Sequence, residues 1–289
     1  MSELIITPKS IEEIKIYKNA DCYLLGNESF CVRYNHSYSN EEIIEASNLI
    51  KSLNKKIYIN VNKIFQEFDL EGLNEYLIFL KNINVDGIFF SDFAVLKLAK
   101  ELNIEDKCVL YHETYPLNTS DLEVILSFGI QGVIISKEAE IKTLVNATKF
   151  NNVGMTAFGH IEIFNSKRRL LETYLKEHNI TKELVNNYNV KVKEMTRDNL
   201  YPLYQDKNGT NIFTSFVYSA LKDFKKLNDL NMKYFIIDSI FLDQEYVLEV
   251  LNIFNKIRNN EEVDLEKFYN ESKYPLDSGF LHLDVGLVK

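Results

Sequence analysis

Cysteine is scarce. Cys22, Cys31 and Cys108 are the three in 289 residues, and they form no CxxC pair and no zinc-like spacing. That scatter excludes a disulfide framework by pattern and predicts reduced, mostly buried thiols in a cytosolic protein. Before the first strand-like run, Met1-Ser2-Glu3-Leu4 offers neither a basic n-region nor an apolar h-region. No apolar stretch approaches membrane-spanning length, so a soluble, cytoplasmic protein with no membrane contact is expected. Positive charge is also short: 33 Lys and Arg against 42 Asp and Glu give a net charge of −9. This argues against nucleic-acid binding driven by overall charge, leaving contact through a local patch or a basic partner subunit. P-loop, GxGxxG and nucleophile-elbow patterns are missing, which leaves nucleotidase, dinucleotide and hydrolase readings with little support.

What is present is a regular alternation. A hydrophobic content of 46% is ample for a core. Short apolar runs predict strands at Leu4–Thr7, Cys22–Leu25, Lys56–Val61, Gly87–Ser91, Cys108–Tyr111, Gly132–Ser136, Val153–Phe158 and Tyr234–Ile240. Most are separated by apolar residues at helical spacing, as in Glu41–Ile50, which Ser39 or Asn40 would cap. Eight alternations predict an α/β fold, a (β/α)₈ TIM-barrel-like domain, with a doubly wound open sheet as the alternative. The spacing breaks between strands seven and eight. There, about 186–214, period-two alternation and Asn208-Gly209 read as a β insertion. With no low-complexity linker, the expectation is one domain over 1–260 and a tail, 261–289, packing on the barrel or a partner.

In a parallel barrel, working groups sit where strands end. The run Phe158-Gly159-His160 delivers an imidazole to such an end, and Arg168-Arg169 follow closely. Imidazole and guanidinium groups together suit an anion or a carbonyl. His160 either carries a proton or satisfies a buried carbonyl; Arg168 and Arg169 either bind an anion or pair with Glu172 or Glu162. Glu113 is the strongest carboxylate candidate, the alternative being an ion pair with Lys137 or an arginine across the mouth. Ser91-Asp92 reads as a helix cap, and Ser136 as a cap or a site residue. His112 and Glu113 are neighbours on opposite faces of a strand, so with His160 they predict no metal site.

Asp21-Cys22-Tyr23-Leu24-Leu25-Gly26 with Phe30 and Arg33 resembles the second-strand motif of the collagenase-like peptidases, family thirty-two of the peptidases of unknown mechanism. Tyr58–Asn62, Val85-Asp86-Gly87, Ser136-Lys137-Glu138 and Gly159–Arg169 follow in the family's order, to about Phe254. The resemblance implies a barrel and, for a short member, one subunit of a bacterial pair that hydroxylates the tRNA wobble uridine to 5-hydroxyuridine without oxygen, from a prephenate-like donor. Arg33, Arg168 or Arg169 would then bind a small carboxylated substrate, with Asn62, Glu113 and His160 positioning it. Many relatives carry cysteines after Gly-His that hold an iron–sulfur cluster. Here Phe164, Asn165, Ser166, Arg168 and Arg169 stand in that region, so no cluster is expected in this chain. The implied partner is a longer, cysteine-bearing relative, with tRNA reached through the complex. A collagenase-like peptidase and a noncatalytic scaffold are the alternatives.

Overall fold

A computed structural model of the chain describes residues 2–182 and 184–283. The alternation predicted above is followed closely: β1 (Glu3–Ile6), α1 (Ile11–Ile16), β2 (Cys22–Gly26), α2 (Asn40–Ser52), β3 (Lys56–Val61), α3 (Leu70–Asn82) and β4 (Gly87–Phe90). It continues through α4 (Phe93–Glu101), β5 (Cys108–Tyr111), α5 (Thr119–Leu126), β6 (Gly132–Ile135), α6 (Ile141–Ala147) and β7 (Val153–Gly159). An excursion comes next, made of β8 (Glu162–Ser166), α7 (Leu170–Glu177), β9 (Lys191–Lys193), β10 (Leu200–Asp206) and β11 (Gly209–Phe213). The chain returns through β12 (Val217–Ser219), α8 (Leu221–Asp229) and β13 (Tyr234–Ile237), and ends with α9 (Gln244–Arg258), α10 (Leu265–Glu271) and β14 (Leu276–Asp277).

Strands β1 to β7 pair in parallel, each with the next, and β13 pairs in parallel with both β1 and β7. That second pairing closes a (β/α)₈ barrel and rules out the open sheet. Helix starts obey local chemistry: Ser39 and Glu42 form a capping box on α2, and the Asp92 side chain accepts from Ala94 N on α4. Asn54, Asn84, Asn103 and Asn231 adopt left-handed backbone conformations just past helix ends, a position often filled by glycine. Among the described residues no helix is long and apolar enough to cross a membrane.

Side chains divide by strand parity. One set packs between sheet and helices; the other, including Ile5, Leu24, Tyr58, Phe89, Val109, Ile134, Tyr234 and Ile236, fills the barrel. The tyrosine rings fit because inward positions opposite them are glycine. A Cβ on Gly132 would lie 2.5 Å from Tyr234 Cε2, and one on Gly87 would lie 2.7 Å from Tyr58 Cδ1. Buried Glu3 closes the amino-terminal end, accepting from Tyr58 OH at 2.5 Å and pairing with Lys56 at 2.5 Å.

The excursion forms a separate four-stranded sheet in the order β8-β11-β10-β9. Its strand β8 precedes the stretch in which the sequence shows alternation, so the insertion starts earlier than about 186. Its neck is tied at Thr214, whose N–H donates to Ile161 O at 2.8 Å and whose Oγ1 accepts from Ile161 N at 3.1 Å. Beyond residue 261, β14 pairs with β12, and Ile141 N donates to Leu281 O at 2.9 Å. Residues 284–289 of the predicted tail lie outside the described residues.

Candidate functional site

Barrel strands β2, β3, β5, β6, β7 and β13 all deliver polar residues to the carboxyl-terminal mouth. There they line a cavity of about 40 Å³, room for a few water molecules. Arg33, Asn62, Glu113 and His160, four of the residues singled out from sequence, are brought together around it. Arg168 and Arg169 are not. Both are exposed at the far end of β8, and Arg169 Nε pairs with Glu172 at 2.8 Å, the surface alternative considered above. The expectation that they line the mouth is corrected by β8 itself, an extended strand that carries the chain away before the arginines occur.

Arg33 is the centre of the site. Its backbone is left-handed at φ 57°, and its side chain is 10% exposed. The guanidinium is in contact with Glu113 and lies 3.3 Å from Glu162. Lys137 completes a quartet, its Nζ 2.7 Å from Glu113 Oε2 and hydrogen-bonded to the Glu162 carbonyl. Burial and the Arg33 charge pull the Lys137 ammonium below its ordinary range, opposed by Glu162 and Glu138 and by the adjacent Glu113 carboxylate. Two cations alternating with two carboxylates compensate one another, as buried charges must. The Arg33 Nε remains buried with no partner among the described residues.

Supporting contacts explain how this is held. Asn62 lines the cavity, but its Oδ1 accepts from Val32 N at 2.8 Å and so anchors the loop that carries Arg33. Ser136 Oγ donates to Glu113 O at 2.8 Å and accepts from Glu138 N at 3.2 Å, serving as both cap and tether. His160 is 8% exposed, and its Nδ1 lies 2.8 Å from Thr214 O. A proton on Nδ1 donated there leaves Nε2 as an acceptor. Burial lowers the His160 pKa, outweighing the Thr214 and Phe216 carbonyls, so the ring is neutral at pH 7. The satisfied-carbonyl alternative is therefore observed, on a ring that still lines the cavity.

Asn60, Lys137 and Asp238 are polar strand-end residues by sequence alone, though not among those singled out for a role, and Glu162 enters the sequence reading only as an ion-pair partner. The signal was available for two of them: inward alternation runs Tyr58, Asn60, Asn62 along β3 and Tyr234, Ile236, Asp238 out of β13. Burial raises the Asp238 pKa, against hydrogen bonds from Ile240 N and Thr7 Oγ1. Outward of the cavity, a shallow trough of about 450 Å³ shares Glu113, Lys137, Ile161 and Glu162 with it and is walled by Phe164, Phe216 and Phe280.

The donors for an iron–sulfur cluster do not fit. Cys22 sits inside the barrel against Glu3, Cys31 borders the mouth, and Cys108 faces Ile104 O outside the strands. Among the described residues, no three His, Cys, Asp or Glu are grouped to hold a metal ion.

Comparison with known proteins agrees with this architecture. The chain is 26% identical over 277 residues to tRNA hydroxylation protein P2 of Bacillus subtilis (strain 168), covering 92% of this chain and 90% of that protein. It is 22% identical over 161 residues to tRNA hydroxylation protein P1 of the same organism, covering 55% of this chain but 38% of the relative. A solved U32 peptidase superposes with a TM-score of 0.52 at 11% identity, covering 82% of this chain and 92% of that one, a likeness of fold. Peptidase family U32 matches residues 10–282, and the chain belongs to that family.

Proposed function

We propose that this chain is a subunit of a tRNA hydroxylation system and that its barrel mouth holds the small carboxylated donor. The observation that carries the reading is Arg33: a buried guanidinium with an unpartnered Nε, in a chain aligned over 92% of its length with tRNA hydroxylation protein P2. The donor is of the prephenate type. Its carboxylate replaces Glu113 or Glu162 on Arg33, and its body occupies the outer trough, since the inner cavity of about 40 Å³ takes little more than one polar group. The product is 5-hydroxyuridine at the wobble position, formed without dioxygen. A longer, cysteine-bearing family member supplies what this cysteine-poor chain lacks, and tRNA is reached through that complex, in keeping with the net charge of −9.

A peptidase reading finds less support at the mouth. Cys31 borders it, but burial holds its thiol far above the ordinary range, and a thiol that does not ionise is a poor nucleophile. A scaffold with a decayed site would not need to keep four partly buried charges in register.

Mass spectrometry of tRNA from a deletion strain tests the reading. Loss of 5-hydroxyuridine is expected, restored by wild type and by Arg168→Ala/Arg169→Ala, but not by Arg33→Gln. Full restoration by Arg33→Gln would favour the scaffold. Unchanged 5-hydroxyuridine in the deletion strain, with no paralogue present, would sink the proposal.

A further inference from the structure

Three buried polar atoms at the mouth have no hydrogen-bond partner among the described residues: Arg33 Nε, Asn35 Oδ1 and Asn60 Oδ1. Asn60 is 8% exposed. Leaving an amide oxygen buried and unpaired is unfavourable, and such a group calls for a ligand or a water. The atoms belong to two adjoining cavities, of about 40 and 20 Å³, that share Arg33, Asn60 and Asp238. The Asn35 amide is pinned: its Nδ2 donates to Ser239 Oγ at 2.7 Å and to Thr7 O at 3.0 Å, which fixes where Oδ1 points. Both hydrogen bonds to Asp238, from Thr7 Oγ1 at 3.0 Å and Ile240 N at 3.1 Å, fall on Oδ1 and leave Oδ2 free of them.

Buried and unpaired on this side of the mouth are therefore two amide oxygens and one donor, Arg33 Nε, with Asp238 Oδ2 beside them. A second carboxylate placed here would face oxygen atoms. An ammonium group would supply donors, but beside the Arg33 charge. A hydroxyl fits both constraints, since it donates to an amide oxygen, accepts from Nε and carries no charge.

We propose that Asn60 and Asn35 form a hydroxyl-reading subsite, which selects a small carboxylate ligand bearing a hydroxyl group over the same ligand without it. The proposal rests on the anion-binding role of Arg33 given above and adds the residues that set specificity. Asn60 is the principal contact, because its amide borders both cavities, and Asn35 presents the oxygen that its own hydrogen bonds fix.

Isothermal titration of the purified full chain with matched probes tests it: malate against succinate, and 4-hydroxycyclohexanecarboxylate against cyclohexanecarboxylate. The hydroxylated member of at least one pair should bind about tenfold more tightly to wild type, the value of one neutral hydrogen bond. In Asn60→Ala that preference should fall below twofold while the affinity of the deoxy member is kept. Arg33→Gln should weaken both members alike. Equal binding within both pairs, or no binding by any probe, overturns the subsite; if Arg33→Gln still weakens equally bound probes, the anion-binding reading survives alone. If Arg33→Gln leaves the affinity of both members at the wild-type value while the hydroxyl preference persists, the anion reading is removed and the subsite is kept. The wild-type comparison decides by itself if Asn60→Ala folds poorly.

Discussion

The two ends of the barrel solve the problem of buried polarity in opposite ways. At the amino-terminal end, burial would raise the Glu3 pKa, yet hydrogen bonds from Lys56 and Tyr58 outweigh it and hold the carboxyl below its usual range. Cys22 Sγ adds a third contact at 3.4 Å, and glycines at 87, 132 and 154 let the tyrosine rings close the floor. Among the described residues near that end, Gln131 Oε1 is the buried atom left unpaired. At the mouth, Arg33, Asn35 and Asn60 each keep one unpaired atom around a space. One end leaves a single buried atom unpaired, and the other keeps three unmet hydrogen-bonding atoms around a space, as binding sites do.

The largest test of this contrast strikes the floor. A Cβ at Gly154 would overlap the backbone of Tyr234, which a side-chain rotation cannot relieve. Gly154→Ala should cost about 3 kcal/mol or more of stability in urea unfolding, at the upper end of overpacking effects. A cost under 1 kcal/mol would mean the floor is loosely packed and the contrast false.

A middle-sized test uses His160 at the mouth. Its folded pKa lies below the ordinary 6.5 because burial disfavours the charged ring. The unfolded chain thus binds its proton first as pH falls, so this contribution is complete above pH 6.5 and is lost on acidification towards the folded pKa. His112 is lowered in the same way by burial and Arg33. Replacing His160 with Gln should flatten the acid slope of stability between pH 7 and 5. An unchanged slope would place the titration elsewhere.

The smallest effect belongs to the exposed arginines. Arg168→Ala/Arg169→Ala should shift stability by less than about 0.5 kcal/mol, as expected for a surface pair such as Arg169–Glu172. A loss beyond 1.5 kcal/mol would show that the insertion depends on charges at its tip.

How legible this was depended on the kind of signal. The eight barrel strands are continuous apolar runs bounded by polar residues, and a strand buried on both faces must read that way. Strand β8 was missed because Ile163 and Phe164 are adjacent and both exposed, at 54% and 42%, so no burial period marks it. Glu113 was recognised together with its partners, since an inward carboxylate at a strand end needs a cation. Glu162 escaped because its tie to Arg33 spans the barrel, a distance no local pattern encodes. Asn60 and Asn62 differ by one turn of the pleat and look alike in sequence. Only the neighbour of Asn62, the Val32 N–H, separates the anchor from the unpaired amide.

The knot at Thr214 has one more consequence. His160 and Ile161 meet Thr214 through three hydrogen bonds, so the insertion departs and returns at one point. Seen from the barrel, everything between is a closed side loop, and doubling its length would cost only about 0.6 kcal/mol in closure entropy. The stretch between residues 162 and 213 can therefore change length away from the barrel, provided that Glu162 keeps its hold on Arg33, Asp206 keeps Tyr34 at 2.8 Å, and Phe164 and Phe213 keep their places at the trough and cavity.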